Sequence, residues 1–139
     1  MTAAEIAAAL SRVFQSEAGV IAAYLYGSHV HGRAHRESDV DVAVLLDRAA
    51  YPTDRERFDA RLRLIAELSA ALGSNQVDLI VLNDVPATLA RHVLWEGLRV
   101  HCRDAEALHT FSRTVYLLAP DLERFLQRQR RRLLDSMPS

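Results

Sequence analysis

The chain has 139 residues, half of them hydrophobic and a quarter charged, with 17 lysine and arginine residues against 18 aspartate and glutamate residues. This suits one folded domain of about 100–150 residues and excludes a disordered chain, and no apolar run reaches the roughly 18–20 residues that span a bilayer. A formal net charge of −1 is far from the basicity of proteins that hold nucleic acid through its phosphates, so strong general nucleic-acid binding is not expected.

Every residue of the lysine-plus-arginine total is an arginine, which rules out a catalytic lysine, a Schiff base and a P-loop lysine. Phosphate contacts must then come from guanidinium groups, hydroxyls, backbone N–H groups or metals. Cys102 has no second cysteine for an internal disulfide and cannot build a zinc site alone. The alanine-rich stretch Met1 to Leu10 contains Glu5 and has no basic region before it. It does not read as a signal peptide, and a cytoplasmic protein is expected.

In chain order, Thr2 and Glu5 form a capping-box pair for a first helix over Ala3 to Gln15. Its apolar face is Ile6, Leu10, Val13 and Phe14, and Gly19 is expected to close it. A strand follows over Val20 to Tyr26, ending at Gly27-Ser28. His29 to Ser38 is polar and histidine-rich and reads as a short helical turn and loop. Val40 to Leu46 is a strand, with Val40, Val42 and Val44 on one face and Asp39, Asp41 and Ala43 on the other. Pro52 precedes a long helix over Thr53 to Leu72, whose stripe is expected to be Phe58, Leu62, Ile65, Leu68 and Leu72, with Gly73 ending it. Val77 to Leu82 is a third strand, apolar except for Asp78. Pro86 opens a helix to Glu96 ended by Gly97, Leu98 to Cys102 is a last short strand, Asp104 caps a helix to Leu118, and Pro120 starts another to Leu134. Strands alternating with helices predict an α/β (α+β) fold, a small mixed sheet of about four strands flanked by helices, with further helices at the C-terminal end.

The chemistry concentrates between Tyr26 and Val42. A glycine at a strand end lets backbone approach a ligand closely, and Ser28 can cap the following turn, where free N–H groups and the hydroxyl favour a phosphate. Asp39 and Asp41, two apart on one strand, project from the same face with Cα atoms roughly 6–7 Å apart. Two like charges so placed call for a cation, and hard oxygen ligands suit magnesium, which also binds substrate phosphates. If the strand carrying Asp78 adjoins theirs, a third carboxylate joins. Such a site holds two divalent ions, or one ion and a general base, for in-line phosphoryl chemistry; the plain alternative is a strand-end acid paired with an arginine. Arg33 and Arg36 could reach triphosphate oxygens, although Arg36 could equally pair with Glu37 or Asp39.

Gly27-Ser28, ten residues, and then Asp39-x-Asp41 resembles the signature of the polymerase β-like nucleotidyltransferases. The stretch YLYGSHVHGRAHRESDVDVAVLL, with Gly32 and Ser38 in place, is similar to the minimal nucleotidyltransferases, the MNT partners of HEPN proteins in toxin–antitoxin pairs. The similarity runs from about Val20 to Arg103, including Asp78 and the Trp95-Glu96-Gly97 turn. The resemblance implies the polymerase β-like fold, with a single nucleotidyltransferase domain over 1–139, its core at about 18–103 and a helical extension over 104–139. It implies transfer of AMP from ATP to a hydroxyl with release of pyrophosphate. Asp39, Asp41 and Asp78 would be the catalytic and magnesium-binding carboxylates, holding two ions, and Gly27 and Ser28 would hold the triphosphate, with Arg33, Arg36 and Ser38 as the further phosphate-binding candidates of the loop. It further implies a tyrosine of a HEPN ribonuclease toxin as the acceptor and a hetero-oligomer of the two proteins, with the chain acting as the antitoxin.

Two other readings compete: a small-molecule nucleotidyltransferase of the aminoglycoside-modifying type, and a non-catalytic antitoxin that neutralises its partner by binding. His29, His31 and His35 match no strong zinc pattern and read as solvated loop residues. Trp95 and His92 read as core or partner contacts, Tyr24 and Tyr26 as core or sheet-face residues, and Cys102 as a half-buried hydrophobe. The four arginines between Gln127 and Arg132 read as a solvated helix face, with an acidic partner as the alternative.

Overall fold

A computed structural model describes residues 1–27, 30, 39–119 and 122–136. The elements run α1 (Ala3–Gln15), β1 (Val20–Tyr26), β2 (Val40–Leu46), α2 (Asp54–Leu72), β3 (Val77–Val81), α3 (Ala87–Glu96), β4 (Leu98–Cys102), α4 (Ala105–Leu118) and α5 (Leu122–Ser136). The expected turn over His29 to Ser38 lies outside the described residues apart from Val30, and so does the proline expected to open α5. Among the described residues, no helix is long and apolar enough to cross a membrane.

The four strands form one mixed sheet in the order β3-β2-β1-β4. β1 runs antiparallel to both β2 and β4, whereas β2 and β3 are parallel and joined through α2. Strand alternation divides the core into two layers. Val40, Val42, Val44 and Leu46 share one face with Leu25, Leu79 and Val81, covered by Ile6, Leu10 and Phe14 of α1 and Ala60, Leu64 and Leu68 of α2. On the other face Ala22, Tyr24, Ala43 and Leu45 pack under Ala90 and Val93 of α3 and Leu108 and Val115 of α4. The result is a helix–sheet–helix sandwich, with Asp41 and Asp78 excluded from the first layer by the alternation that buries Val40 and Val42 beside the one and Leu79 and Val81 beside the other.

Helix starts follow their caps. The Glu5 N–H donates to Thr2 Oγ1 at 3.1 Å, although the Thr2 hydroxyl itself donates to the Glu5 carboxylate, so only half of the reciprocal capping box forms. The same pairing recurs at Thr53 and Glu56, and the Ala107 N–H donates to Asp104 at 3.0 Å. Gly73 closes α2 in the left-handed conformation, φ 62°. Helix α1 ends at Gln15 as expected, but its cap is Ser16 rather than Gly19. β3 stops at Val81 rather than Leu82 because the Asn83 side chain takes over the ladder: its amide donates to the Leu46 carbonyl and accepts from the Leu46 N–H, both at 2.9 Å.

The buried face of α2 differs from the expected stripe. Phe58 and Leu62 are half exposed, at 51% and 50%, and the buried positions are Arg57, Ala60, Leu64 and Leu68. The helix is rotated because Arg57 turns inward to Asp84, just beyond β3, 27 residues away in sequence. Its Nε and Nη2 donate to the two carboxylate oxygens at 2.9 Å, and Nη1 donates to the Tyr51 carbonyl at 3.0 Å. A paired guanidinium of this kind can be buried where an unpaired one cannot. Trp95 is also not a core residue, being 74% exposed at the end of α3, and the described side chains of α5 are exposed, its arginines among them.

Substituting Asp84→Ala strands a nearly buried guanidinium. Because Asp84 is itself 35% exposed, the loss falls below that of a fully buried pair, at about 2 kcal/mol. Urea unfolding of the variant is expected to show that loss, and a change below about 0.5 kcal/mol would mean the pair does not fix α2.

Candidate active site

Strand register assembles the site. Tyr26 of β1 pairs with Asp41 of β2, and Asp41 pairs with Asp78 of β3. These three side chains occupy one rung and, by pleat, one face, with neighbouring strands about 4.8 Å apart. Asp39 lies at the entrance to β2 and is exposed. It stands two residues before Asp41, the spacing that returns a side chain to the same face. The rung sits where the sheet begins to open: Asp41 is partly buried, and the Asp78 side chain is 54% exposed. Next to it, the Val40 N–H donates to the Gln76 carbonyl at 2.7 Å, anchoring the first bond of the parallel ladder beside the carboxylates.

Gly27 follows Tyr26 with φ +79°, a backbone conformation that L side chains rarely adopt. A Cβ built there would collide with Asp41 Oδ2. The glycine is therefore required twice over, by the turn leaving β1 and by the carboxylate leaning against it. Its carbonyl accepts from the Val30 N–H at 3.2 Å, closing the turn. Ser28, Arg33, Arg36 and Ser38, the other phosphate-binding candidates, lie outside the described residues, as do His29, His31, Gly32 and His35.

The Tyr26 phenol is pushed up to about 12, first by burial and then by the negative charges of Asp41 and Asp78. At neutral pH it is an uncharged donor bordering two carboxylates. The row continues onto α2, where Arg61 Nη2 stands 3.9 Å from Asp78 Oδ1. Neither Tyr26 nor Arg61 was marked by the motif. Tyr26 carried the right alternation but needed the β1–β2 register, and Arg61 carried no local signal, since its position depends on how α2 docks against β3.

Three carboxylates on one face offer only hard oxygen donors, the set that suits a magnesium-type cation. Among the described residues, no three His, Cys, Asp or Glu side chains are already gathered so that they could hold an ion. The backbone aligns Asp41 with Asp78, and Asp78 leans toward Arg61 at the sheet edge. Its exposed side chain can turn inward by rotation about its own bonds, without any shift of the strands.

The pattern of residues 8–106 matches the family described as polymerase beta, nucleotidyltransferase, and the chain belongs to that family. Protein adenylyltransferase MntA of Shewanella oneidensis is 40% identical over 74 residues, 53% of this chain and 48% of that protein, so the match spans about half the length of that relative. Among solved structures, a chain from a crystal structure of a toxin–antitoxin with AMP-PNP superposes with a TM-score of 0.63 and 25% identity, over 93% of this chain and 95% of that chain. A chain from the complex of a tri-AMPylated Shewanella oneidensis HEPN toxin with MNT antitoxin shares the fold, with a TM-score of 0.57 and 21% identity over 94% and 96%.

The contact between Gly27 and Asp41 makes a prediction that needs no substrate. Gly27→Ala should destabilise the chain by about 2 kcal/mol, part from the left-handed backbone and part from the displaced carboxylate. In an Asp41→Ala background the carboxylate part disappears, and the Gly27→Ala penalty should fall to about 1 kcal/mol. Equal penalties in both backgrounds, read by urea unfolding, would show that the two residues do not press on each other.

Proposed function

We propose that this chain is a magnesium-dependent nucleotidyltransferase that moves AMP from ATP to a hydroxyl of a partner protein, a tyrosine of a HEPN ribonuclease toxin, and thereby acts as the antitoxin. The observation that carries this reading is the rung of Asp41 and Asp78, with Asp39 two residues before it, set against the obligatory glycine turn at Gly27. Family membership supports the transfer chemistry. The name of the related protein adenylyltransferase and the AMP-PNP complex of the similar toxin–antitoxin support ATP as donor and a protein as acceptor.

In this reading Asp39, Asp41 and Asp78 hold magnesium, which when bound supplies charge neutralisation to the triphosphate oxygens. Gly27 brings backbone close to the triphosphate, and Ser28, Arg33, Arg36 and Ser38 add hydrogen bonds and positive charge to it. The acceptor hydroxyl oxygen attacks the α-phosphorus of ATP. The bond from that phosphorus to the β-bridging oxygen breaks, pyrophosphate leaves, and the hydroxyl proton passes to the Asp78 carboxylate. Tyr26, uncharged at neutral pH, borders the carboxylates without adding a third negative group to the rung. The chain works as a single nucleotidyltransferase domain with its core at about 18–103, in the cytoplasm and in a hetero-oligomer with the toxin.

The test uses ATP labelled at the α-phosphate, magnesium and a co-expressed HEPN partner. Label should appear on the partner, and Asp41→Asn should reduce it by about 100-fold or more. Toxin silencing that survives Asp41→Asn in full, or label that appears on a small molecule instead of the partner, would contradict the proposal.

A further inference from the structure

The row of charged groups does not stop at Asp78. Arg61 projects from α2 over the outer edge of β3, an edge strand of the sheet. Its Nε donates to the Leu79 carbonyl at 2.6 Å, and its Nη2 stands 3.9 Å from Asp78 Oδ1. The parallel ladder explains why that carbonyl is available. The Val40 N–H donates to Gln76, and the Leu82 N–H donates to Val44. Residues of β3 alternate between bonding inward to β2 and facing outward, and Leu79 falls on the outward set. One guanidinium thus covers an outward carbonyl of the edge and reaches the carboxylate of the preceding residue.

Folding alone gives a weak account of the second contact. The two side chains are 32% and 54% exposed, and an ion pair so open to water adds little stability. The contact does draw the resting Asp78 carboxylate toward Arg61, 3.9 Å away. In-line displacement at phosphorus puts the incoming hydroxyl and the departing pyrophosphate on opposite sides. The Gly27 turn stands on the β1 side of Asp41, and Asp78 with Arg61 stands on the other, at the open edge. A cavity of about 490 Å³ lined by Asp54, Phe58, Arg61, Ile80, Asp84 and Val85 runs from Arg61 toward the C-terminal end of β3.

We propose that Arg61 is a positioning residue for the acceptor half of the reaction: anchored on Leu79, it keeps the Asp78 carboxylate on the β3 side of the rung, one side-chain rotation from Asp41, where the acceptor hydroxyl arrives. The inference rests on the nucleotidyltransferase reading above and goes beyond it, since it gives Arg61, a residue outside the motif, a part in the transfer.

The test measures AMP transfer to the co-expressed HEPN partner by wild type, Arg61→Ala and Arg61→Lys, with the unfolding temperature of each. Arg61→Ala should lower kcat by about tenfold while the KM for ATP stays within about twofold. Arg61→Lys keeps a cation and a donor, and it should recover at least about half of the lost rate on a logarithmic scale. Unfolding temperatures within about 2 °C of wild type separate this from a general loss of structure. A wild-type kcat in Arg61→Ala would overturn the inference, as would an equal loss in both variants accompanied by a raised KM for ATP. Absence of transfer by the wild-type chain would overturn the transferase reading, and the inference with it.

Discussion

The structure depends on the parallel register of β2 and β3. These strands are joined through a 19-residue helix, so nothing in a tight turn sets their alignment, and a slip of one residue would send every side chain of β3 to the opposite face. Two side-chain devices resist that slip. Asn83 pairs with both backbone groups of Leu46 at the far end of the ladder, and Arg57 ties α2 to Asp84 just beyond β3. Both lie at the end opposite the carboxylates. The site is therefore held from a distance, by fixing where β3 ends.

With that register in place, Asp41 and Asp78 must stand side by side. Valine and leucine burial on the other face leaves them no alternative, because Val40, Val42, Leu79 and Val81 are claimed by the layer beneath α1 and α2. The strands carry their acids at their N-terminal ends, where α3 and α4 no longer cover the sheet, and there the charges keep contact with water. Tyr26 closes one side of the rung as a neutral phenol, and Arg61 closes the other as a cation. Electrostatically the sheet end is an acidic strip with one wall of each kind, suited to a cation that in turn carries phosphates.

Much of this was legible in the sequence. The spans of β1, β2, β4, α1 and α4 follow directly from apolar periodicity and from Thr2, Asp104 and the flanking polar residues, because those signals are local. The alternation of Val40, Val42 and Val44 against Asp39 and Asp41 likewise named the two faces of β2 before the sheet was known. The exposed flank of α2 was not legible: Phe58 and Leu62 belong to a good apolar stripe, but the helix turns to bury Arg57, whose partner lies in a different loop. Strand order was equally hidden, and with it the fact that Asp78 neighbours Asp41. Trp95 looks like core by composition, yet it sits at the last turn of α3 where nothing packs over it among the described residues. For α2 and the strand order the missing information was a contact between distant segments, and for Trp95 the lack of one among the described residues, neither of which single-sequence patterning carries.

The proposed function requires that the carboxylates paired by β2 and β3 act as one site for a metal–nucleotide complex. The most direct measurement is a calorimetric titration of Mg²⁺ with AMP-PNP into wild type, Asp41→Asn, Asp78→Asn and the double variant. If the two acids share one site, the second substitution costs much less once the first is made, with a coupling of about 1 kcal/mol or more. Losses that simply add, or no loss in either single variant, would contradict the claim.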